Sequence, residues 1–537
     1  MKSEAAKGIL RIVSNYARLG GNLILSLILV PFMLRWLGND AQALVLLLVA
    51  GSGLAAIFRE ITDRAVIREL AAAHHTDDPD HFRNVFNSAL VISAAAAGVV
   101  IVCFVGVYFA IRYGLLNVKP HLLGAAYLMV LTQGTVVAYG TLVSPLFNMQ
   151  VVTERFVLYN FWTLADRASF LGSALFVRYG LGVTGEEPSH ALIIWTILTS
   201  SLELVAITMP MLALAARDPR VRPAPRLATR QGVGTVFSTV RWYVAVEVGA
   251  NLYDRAGIIF SNVFIGPRGN LVYGLGQQFV NYVTQVAMGI CQGLDAISAR
   301  LESKSGRSLP VLAYHTTRLL ALAALPVGLV FFVLAPHLIQ LWVGRTIQDP
   351  QENVTRIAVT VQIMAPTITI RAIASGWSTI LYGAGYLRRY APLLFLGGVT
   401  NMVLTAAALL LAHDSSDLTR QYLIPGVLAV VNGTVYLLLL PRIAARCLGV
   451  RYRDLFVPLI RPMLATAVCS PVLLLAPWAL GRLGLAWNVL TVAGVGAAFG
   501  VLYGLVAASI VLEGHERERF IWSPLRRMGG PRSNPGA

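Results

Sequence analysis

Residues 240–292 read VRWYVAVEVGANLYDRAGIIFSNVFIG, then PRGN, then LVYGLGQQFVNYVTQVAMGICQ. Each arm has the roughly 20 residues that a membrane-spanning helix needs, and the Gly-Pro step between them is a turn signal. Neither arm is a plain lipid anchor. At 100° per residue Glu247, Asn251 and Asp254 fall within an arc of roughly 60°, with Arg255 beside them. On the second arm Gln278, Asn281, Gln285 and Gln292 share a similar arc, a ladder of amides on an otherwise apolar helix. An ionisable group at membrane depth costs at least about 2.5 kcal/mol, so such faces turn toward a bundle interior or a water-filled cavity. The hairpin therefore reads as cavity wall.

Composition fixes the class around it. Of 537 residues 56% are hydrophobic and 13% charged, and the mean hydropathy is +0.67. That is the balance of an all-α polytopic membrane protein. The net charge of +17 would suit nucleic acid, but the basic residues cluster in short loops between apolar runs, the pattern of positive-inside topology, and nucleic acid is not expected as a partner. Cys103, Cys291, Cys447 and Cys469 are isolated and have no metal or disulfide spacing. His74, His75 and His81 lie in an Asp-rich loop that reads as solvated. No phosphate-cradling glycine loop, metal-ligand cluster or paired nucleophile is present in the sequence, so neither an enzyme nor a cofactor is expected.

Fourteen apolar spans follow in order: 14–34, 42–61, 84–111, 123–145, 156–177, 189–213, 238–265, 271–292, 318–342, 355–383, 390–412, 421–441, 459–480 and 489–512. The apolar run 23–30 leads into Pro31 without a small-residue cleavage site and reads as a retained first helix. With both termini in the cytoplasm, 26 Lys and Arg fall in cytoplasmic segments, 8 in external loops and 9 within spans, so a multi-pass protein with N-in, C-in topology is expected. The segment RWLGNDAQALVL after the first span parallels NVFIGPRGNLVYGL after the seventh, an internal repeat at an offset of about 228 residues. The expected organisation is an N-terminal six-helix lobe (1–213), a basic Pro-rich linker (214–237), and a C-terminal six-helix lobe (238–441) in parallel repeat. Two peripheral helices (442–512) and a disordered cytoplasmic tail (513–537) complete it.

Other polar stripes point to the same interior. The first span aligns Asn15, Arg18, Asn22 and Ser26, and the tenth aligns Thr367, Arg371, Ser375, Ser378 and Tyr382. The fifth adds Asn160, Thr163 and Arg167, and the sixth adds Thr196, Thr199 and Glu203, while Asp166 faces elsewhere. Arg59 with Asp63 and Glu60 with Arg64 have the spacing of helix-surface pairs. One reading of these charges is interhelical pairing that only fixes packing. As a set, however, Arg18, Arg167, Arg255 and Arg371 outnumber Glu203, Glu247 and Asp254, which suits an anionic ligand and titratable carboxylates. Arginine holds oxyanions bidentately, so Arg18, Arg167, Arg255 and Arg371 are the candidate contacts for such an anionic ligand. Asn22, Asn251, Asn281 and Gln285 are the candidate polar contacts for the rest of the substrate, and Glu203, Glu247 and Asp254 the candidates for ion coupling. Arg255 beside Asp254 would hold that carboxylate ionised, which makes Glu247 the better proton carrier.

YDRAGIIFSNVFIGPRGNLVYGLG at 253–276, LWVG at 341–344, STILYGAGYLRRY at 378–390 and LPRIAARCLGVRYRDLF at 440–456 resemble oligosaccharide (O-antigen-type) flippases. These flippases are part of the multidrug, oligosaccharidyl-lipid and polysaccharide exporter superfamily. Late in the second span, where that family carries an acidic residue and a glycine, this chain reads FREITDRAVIREL. The resemblance implies two six-helix lobes plus two helices, alternating access, and export of polyprenyl-diphosphate-linked oligosaccharide across a bacterial cytoplasmic (inner) membrane for cell-surface polysaccharide synthesis. It further implies membrane lipid as a partner, protons or sodium as coupling ions in some members, and association with polysaccharide assembly enzymes. A drug or cation antiporter of the same fold is the alternative. A polymerase or ligase on lipid-linked sugars is disfavoured by external loops of about a dozen residues. Reporter fusions after residues 230 and 450 are expected to read cytoplasm, and fusions near 118 and 484 the outside; an external signal at 230 would overturn the span count.

Overall fold

The computed structural model describes residues 2–74, 78–153, 155–291, 294–303 and 308–511. His75, Gln292 and the expected tail lie outside these residues. The described residues are helical throughout their ordered elements, with no β-strand among them. In chain order the helices are α1 (Lys2–His74), α2 (Pro79–Arg112), α3 (Leu123–Leu142), α4 (Ser144–Val152), α5 (Phe156–Leu175) and α6 (Pro188–Arg217). They continue as α7 (Arg230–Ile265), α8 (Pro267–Cys291), α9 (Leu294–Ser303), α10 (Leu309–Trp342), α11 (Pro350–Gly383) and α12 (Leu387–Leu411). The last are α13 (Asp417–Gly433), α14 (Leu440–Leu448), α15 (Val457–Arg482) and α16 (Val489–Ile510). Proline opens many of them, as at Pro79, Pro188, Pro350 and Pro458. At a first helical turn its missing N–H costs nothing and its fixed φ suits the helix.

The expected spans fall on helical segments, although 14–34 and 42–61 share α1, and 123–145 and 421–441 each cross from one helix into the next. Among the described residues ten helices are long and apolar enough to cross a membrane, the first covering two expected spans in one run, Ala17–Asp63. The expected spans 156–177, 238–265 and 271–292, on α5, α7 and α8, fall outside these ten. Their carboxylates, guanidiniums and amides lower the hydropathy, and they are the helices that carry the polar stripes. The short α4, α9 and α14 were not expected, because nine or ten residues leave little periodicity to read.

The internal repeat has a backbone counterpart. Gly38 (φ 83°, ψ −179°) and Gly266 (φ 101°, ψ −169°) stand 228 residues apart in the same conformation, one that residues with a Cβ scarcely adopt. Each lets a long helix turn back into the next span. Around this kink end, hydrogen bonds join the chain before residue 214 to the chain after residue 237. Asn117 N and Nδ2 donate to Asn262 Oδ1 (2.7 Å) and O (2.8 Å), and Asn262 Nδ2 donates back to Asn117 O (3.0 Å). Asn270 Nδ2 donates to Ala43 O at 2.9 Å, Trp342 Nε1 to Leu27 O at 2.9 Å, and Gln348 N to Asn39 Oδ1 at 3.3 Å.

The largest apolar core joins α7, α8, α10, α11, α12 and α13 through residues such as Tyr253, Leu275, Phe279, Ile368, Trp377 and Ile424. Two smaller cores hold α1 to α6, one around Trp36, Phe104 and Trp195 near the kink end, the other around Ile61, Phe82, Phe86 and Met149 toward the linker end. α7 crosses α12 at backbone contact, for a Cβ on Gly398 would meet Gly249 O at 2.5 Å and Gly249 Cα at 2.9 Å. The outlying α16 buries only Phe499 and Tyr503 and leans on α10 and α15 through Leu334, Cys469 and Leu473.

Gly266→Ala is expected to lower stability by about 1–3 kcal/mol, the usual cost of strain in this backbone region. Gly500→Ala, on a helix with open space where its Cβ would lie, should leave melting in detergent unchanged. Equal melting temperatures for both variants would show that the kink carries no strain.

Candidate functional site

Asp254 and Arg371 form the centre. From α11, Arg371 Nη1 and Nη2 donate to Asp254 Oδ1 (2.5 Å) and Oδ2 (2.8 Å) on α7. The guanidinium carbon also lies 5.7 Å from the Tyr253 ring and 5.9 Å from the Tyr436 ring, a cation–π seat between two aromatics. Both carboxylate oxygens are thereby taken. The sequence suggested Arg255 as the companion of Asp254 and left Arg371 free for a ligand; the fold instead spends Arg371 on Asp254.

Arg255 turns the other way. Its Nε donates to Asn251 Oδ1 at 3.0 Å, and its Nη1 reaches Val49 O on α1 at 3.1 Å. Gly53 makes the space, since a Cβ there would coincide with the guanidinium. Asn251 in turn donates from Nδ2 to Glu247 O at 3.1 Å, so Glu247, Asn251 and Arg255 form one polar edge of α7, with Glu247 and Asn251 7% and 8% exposed. Glu60 and Arg167 are within electrostatic reach of Arg255. On α8, Gln277 Nε2 donates to Asn281 Oδ1 at 2.9 Å, and Gln277 is itself buried. Sequence reasoning missed Gln277, although it stands one turn before Asn281. Gln285 is half-buried on the same helix, and Gln292 lies outside the described residues.

A second polar group lies among α1, α3, α5 and α6. Asn160 Nδ2 donates to Asn15 Oδ1 (2.7 Å) and Ser14 Oγ (3.0 Å), which confirms that the stripes of the first and fifth spans face each other. One turn further along α1, Arg18 Nε and Asn22 Oδ1 are buried with no hydrogen-bond partner among the described residues. Glu203, 6% exposed, accepts from Gln133 Nε2 at 3.1 Å. Asp166 lies within electrostatic reach of Glu203 and of Arg167 and Arg59. Gln133 was missed from the sequence. Arg167 is exposed, its guanidinium carbon 6.0 Å from the Phe170 ring. The expected Arg59–Asp63 pair forms at 3.7 Å, and Asp63 also accepts from Asn148 at 2.7 Å; the Arg64 side chain is outside the described residues. No group of three His, Cys, Asp or Glu among the described residues could hold a metal ion.

The core of this arrangement, with α7, α8 and α11 around the Asp254–Arg371 pair, is also where a known family begins to match. Residues 252–407 match the MatE family. The MatE region contains Asp254, Arg255, Asn281, Gln285 and Arg371. Among curated proteins no relative matches the chain. Among solved structures it is similar to the lipid II flippase MurJ in an inward closed conformation, with a TM-score of 0.62 at 8% identity, covering 93% of this chain and 98% of that one. It is similar also to an inward-facing multidrug resistance transporter of the MATE family, with a TM-score of 0.61 at 13% identity, covering 82% and 99%. A third likeness, to a transporter of the same superfamily from Pyrococcus furiosus whose binding pocket is described as of reverse polarity, has a TM-score of 0.56 at 14% identity over 82% and 96%. Residues 252–407 thus match the MatE family, and the chain shares the all-α fold of these solved structures. Flippase and multidrug transporter are alike among its structural neighbours, which are transporters and flippases rather than enzymes.

Asp254→Asn should destabilise by about 3 kcal/mol, the low end for breaking a buried ion pair, because it strands the Arg371 charge while Asp254 keeps part of its side chain exposed. Replacing both, as Asp254→Leu with Arg371→Met, should recover most of that loss. Thermal unfolding in detergent measures both; a double variant no more stable than the single one would show that the pair does more than neutralise itself.

Proposed function

We infer that this protein is a flippase that moves a polyprenyl-diphosphate-linked oligosaccharide across the membrane by alternating access. The observation that carries this reading is the charge left over inside. With Arg371 neutralised by Asp254, the guanidiniums of Arg18, Arg167 and Arg255 have no ion pair among the described residues, and the Arg18 Nε and Asn22 Oδ1 atoms are buried without partners. A diphosphate suits such a set through charge-assisted, bidentate hydrogen bonds. Asn22, Asn251, Asn281 and Gln285 supply amides for hydroxyl groups of the sugars, and the isoprenoid tail stays in the bilayer. The likeness to a lipid II flippase adds support, since it extends over 93% of the chain against 82% for the multidrug transporter. The difference is about the size of the segment that holds α15 and α16.

In this reading 1–213 and 238–441 are two lobes joined by the linker 214–237, and they rock about the central groups. The kink-end hydrogen bonds between Asn117 and Asn262 then hold one end shut in this conformation. Of Glu203, Glu247 and Asp254, this reading favours Glu203 and Glu247 for taking up a proton or sodium ion, since Asp254 is paired with Arg371. The competing reading is a drug or cation antiporter, which the buried carboxylates of Glu203 and Glu247 would also serve.

Depletion should leave lipid-linked glycan on the inner leaflet. In proteoliposomes, Arg18→Ala and Arg255→Ala should abolish glycolipid translocation without loss of insertion, and the Lys variants should recover it only in part. Glu247→Gln should remove the response to an imposed pH gradient while substrate binding persists. Export of a lipophilic cation with no glycolipid movement would establish the antiporter instead, and full activity of both Ala variants would remove these arginines from the site.

A further inference from the structure

The start of α10, the end of α14 and the start of α15 meet at the linker end around a cavity of about 330 Å³. Its walls are mainly apolar, from Val311, Ala313, Val450 and Leu455, with Tyr314 and Thr317 beside them. All three elements belong to stretches apolar enough to cross a membrane, Leu309–Trp342, Asp417–Leu448 and Val457–Arg482. The cavity sits at their ends, the level at which lipid headgroups lie.

No arginine lines the cavity itself, but exposed arginines stand on the elements beside its walls: Arg451 and Arg453 flank the lining residues Val450, Asp454 and Leu455, Arg442 and Arg446 lie on α14, and Arg389 lies on α12. Arg389 Nη1 reaches Cys447 Sγ at 3.7 Å, which brings the start of α12 against α14. Arg442 lies 6.0 Å from the Tyr452 ring, which joins α14 to the following turn. α14 is amphipathic: Leu440, Ala444, Ala445 and Leu448 are buried, and Arg442 and Arg446 share the opposite face one turn apart. Two carboxylates lie among these arginines. Asp454 lines the cavity and accepts from Arg451 N at 3.2 Å, and Glu302 accepts from Tyr386 Oη at 3.0 Å. α10 and α15 both begin here without a side-chain cap, so the positive ends of two helix dipoles add to the field.

We propose that this cavity and its arginine collar bind an anionic phospholipid, with an acyl chain in the cavity and the headgroup phosphate on the arginines. The two halves of the site match the two halves of that molecule. Free phosphate would satisfy the collar but not the apolar walls; a zwitterionic lipid would fill the cavity but add no net charge. Basic residues near a membrane surface each contribute enough to change affinity for anionic lipid by about fivefold.

The test is native mass spectrometry of the full chain in detergent with equal amounts of phosphatidylglycerol and phosphatidylcholine. The parent should retain phosphatidylglycerol preferentially. Arg442→Gln with Arg446→Gln, and separately Arg451→Gln with Arg453→Gln, should each cut that retention by more than tenfold and leave phosphatidylcholine unchanged. These are exposed positions, so unchanged melting is expected and separates lost binding from lost fold. Val311→Trp, which fills the cavity from an exposed wall, should weaken phosphatidylglycerol in the same way with every arginine in place. Equal retention of the two lipids by the parent, or parent-like retention by the glutamine variants, would overturn the proposal. So would displacement of phosphatidylglycerol by soluble glycerophosphoglycerol at equal concentration, since the collar would then bind an anion without its chain.

Discussion

Charge left unpartnered at membrane depth is costly, and the Asp254–Arg371 pair is where this protein meets that cost most completely. A carboxylate from α7 and a guanidinium from α11 exchange two hydrogen bonds, while two tyrosine rings cover the cation. Desolvation makes such a pair expensive to build and more expensive to half-remove. α7 and α11 are therefore tied to one another at a fixed height. The surrounding geometry follows from that tie: Arg255, held by Asn251 one turn earlier on α7, reaches the Val49 carbonyl on α1, and Tyr253 is packed against the Tyr436 turn at 6.1 Å between ring centroids.

Close backbone approach supplies the rest of the framework. Gly249 and Gly398 allow α7 and α12 to touch main chain to main chain, a packing mode that dispersion favours in a medium where burying apolar surface gives little advantage. Gly53 performs a different task, leaving room for a guanidinium to cross between helices. Small residues thus set both the spacing of the helices and the path of a charged side chain.

Much of this was legible in the sequence. Length and hydropathy located the spans, the 228-residue echo anticipated the matched conformations of Gly38 and Gly266, and 100° periodicity found the faces that carry Glu247, Asn251, Asn281 and Asn160. Periodicity assigns a residue to a face but cannot choose its partner. Arg371 is 117 positions from Asp254, and Gln133 is 70 from Glu203, so no local spacing links them. α4, α9 and α14 were too short to leave a pattern.

The contacts that join the two parts of the chain at the kink end are made of amides and main-chain carbonyls. Asn117 and Asn262 embrace each other, Asn270 holds the Ala43 carbonyl, and Gln348 meets Asn39, without an ionised group in any of these bonds. Neutral donors and acceptors do not titrate, and ionic screening has little hold on them. Contacts built this way keep the same strength in acid or base, in dilute medium or brine. Any response of this molecule to pH or salt must therefore arise outside these bonds.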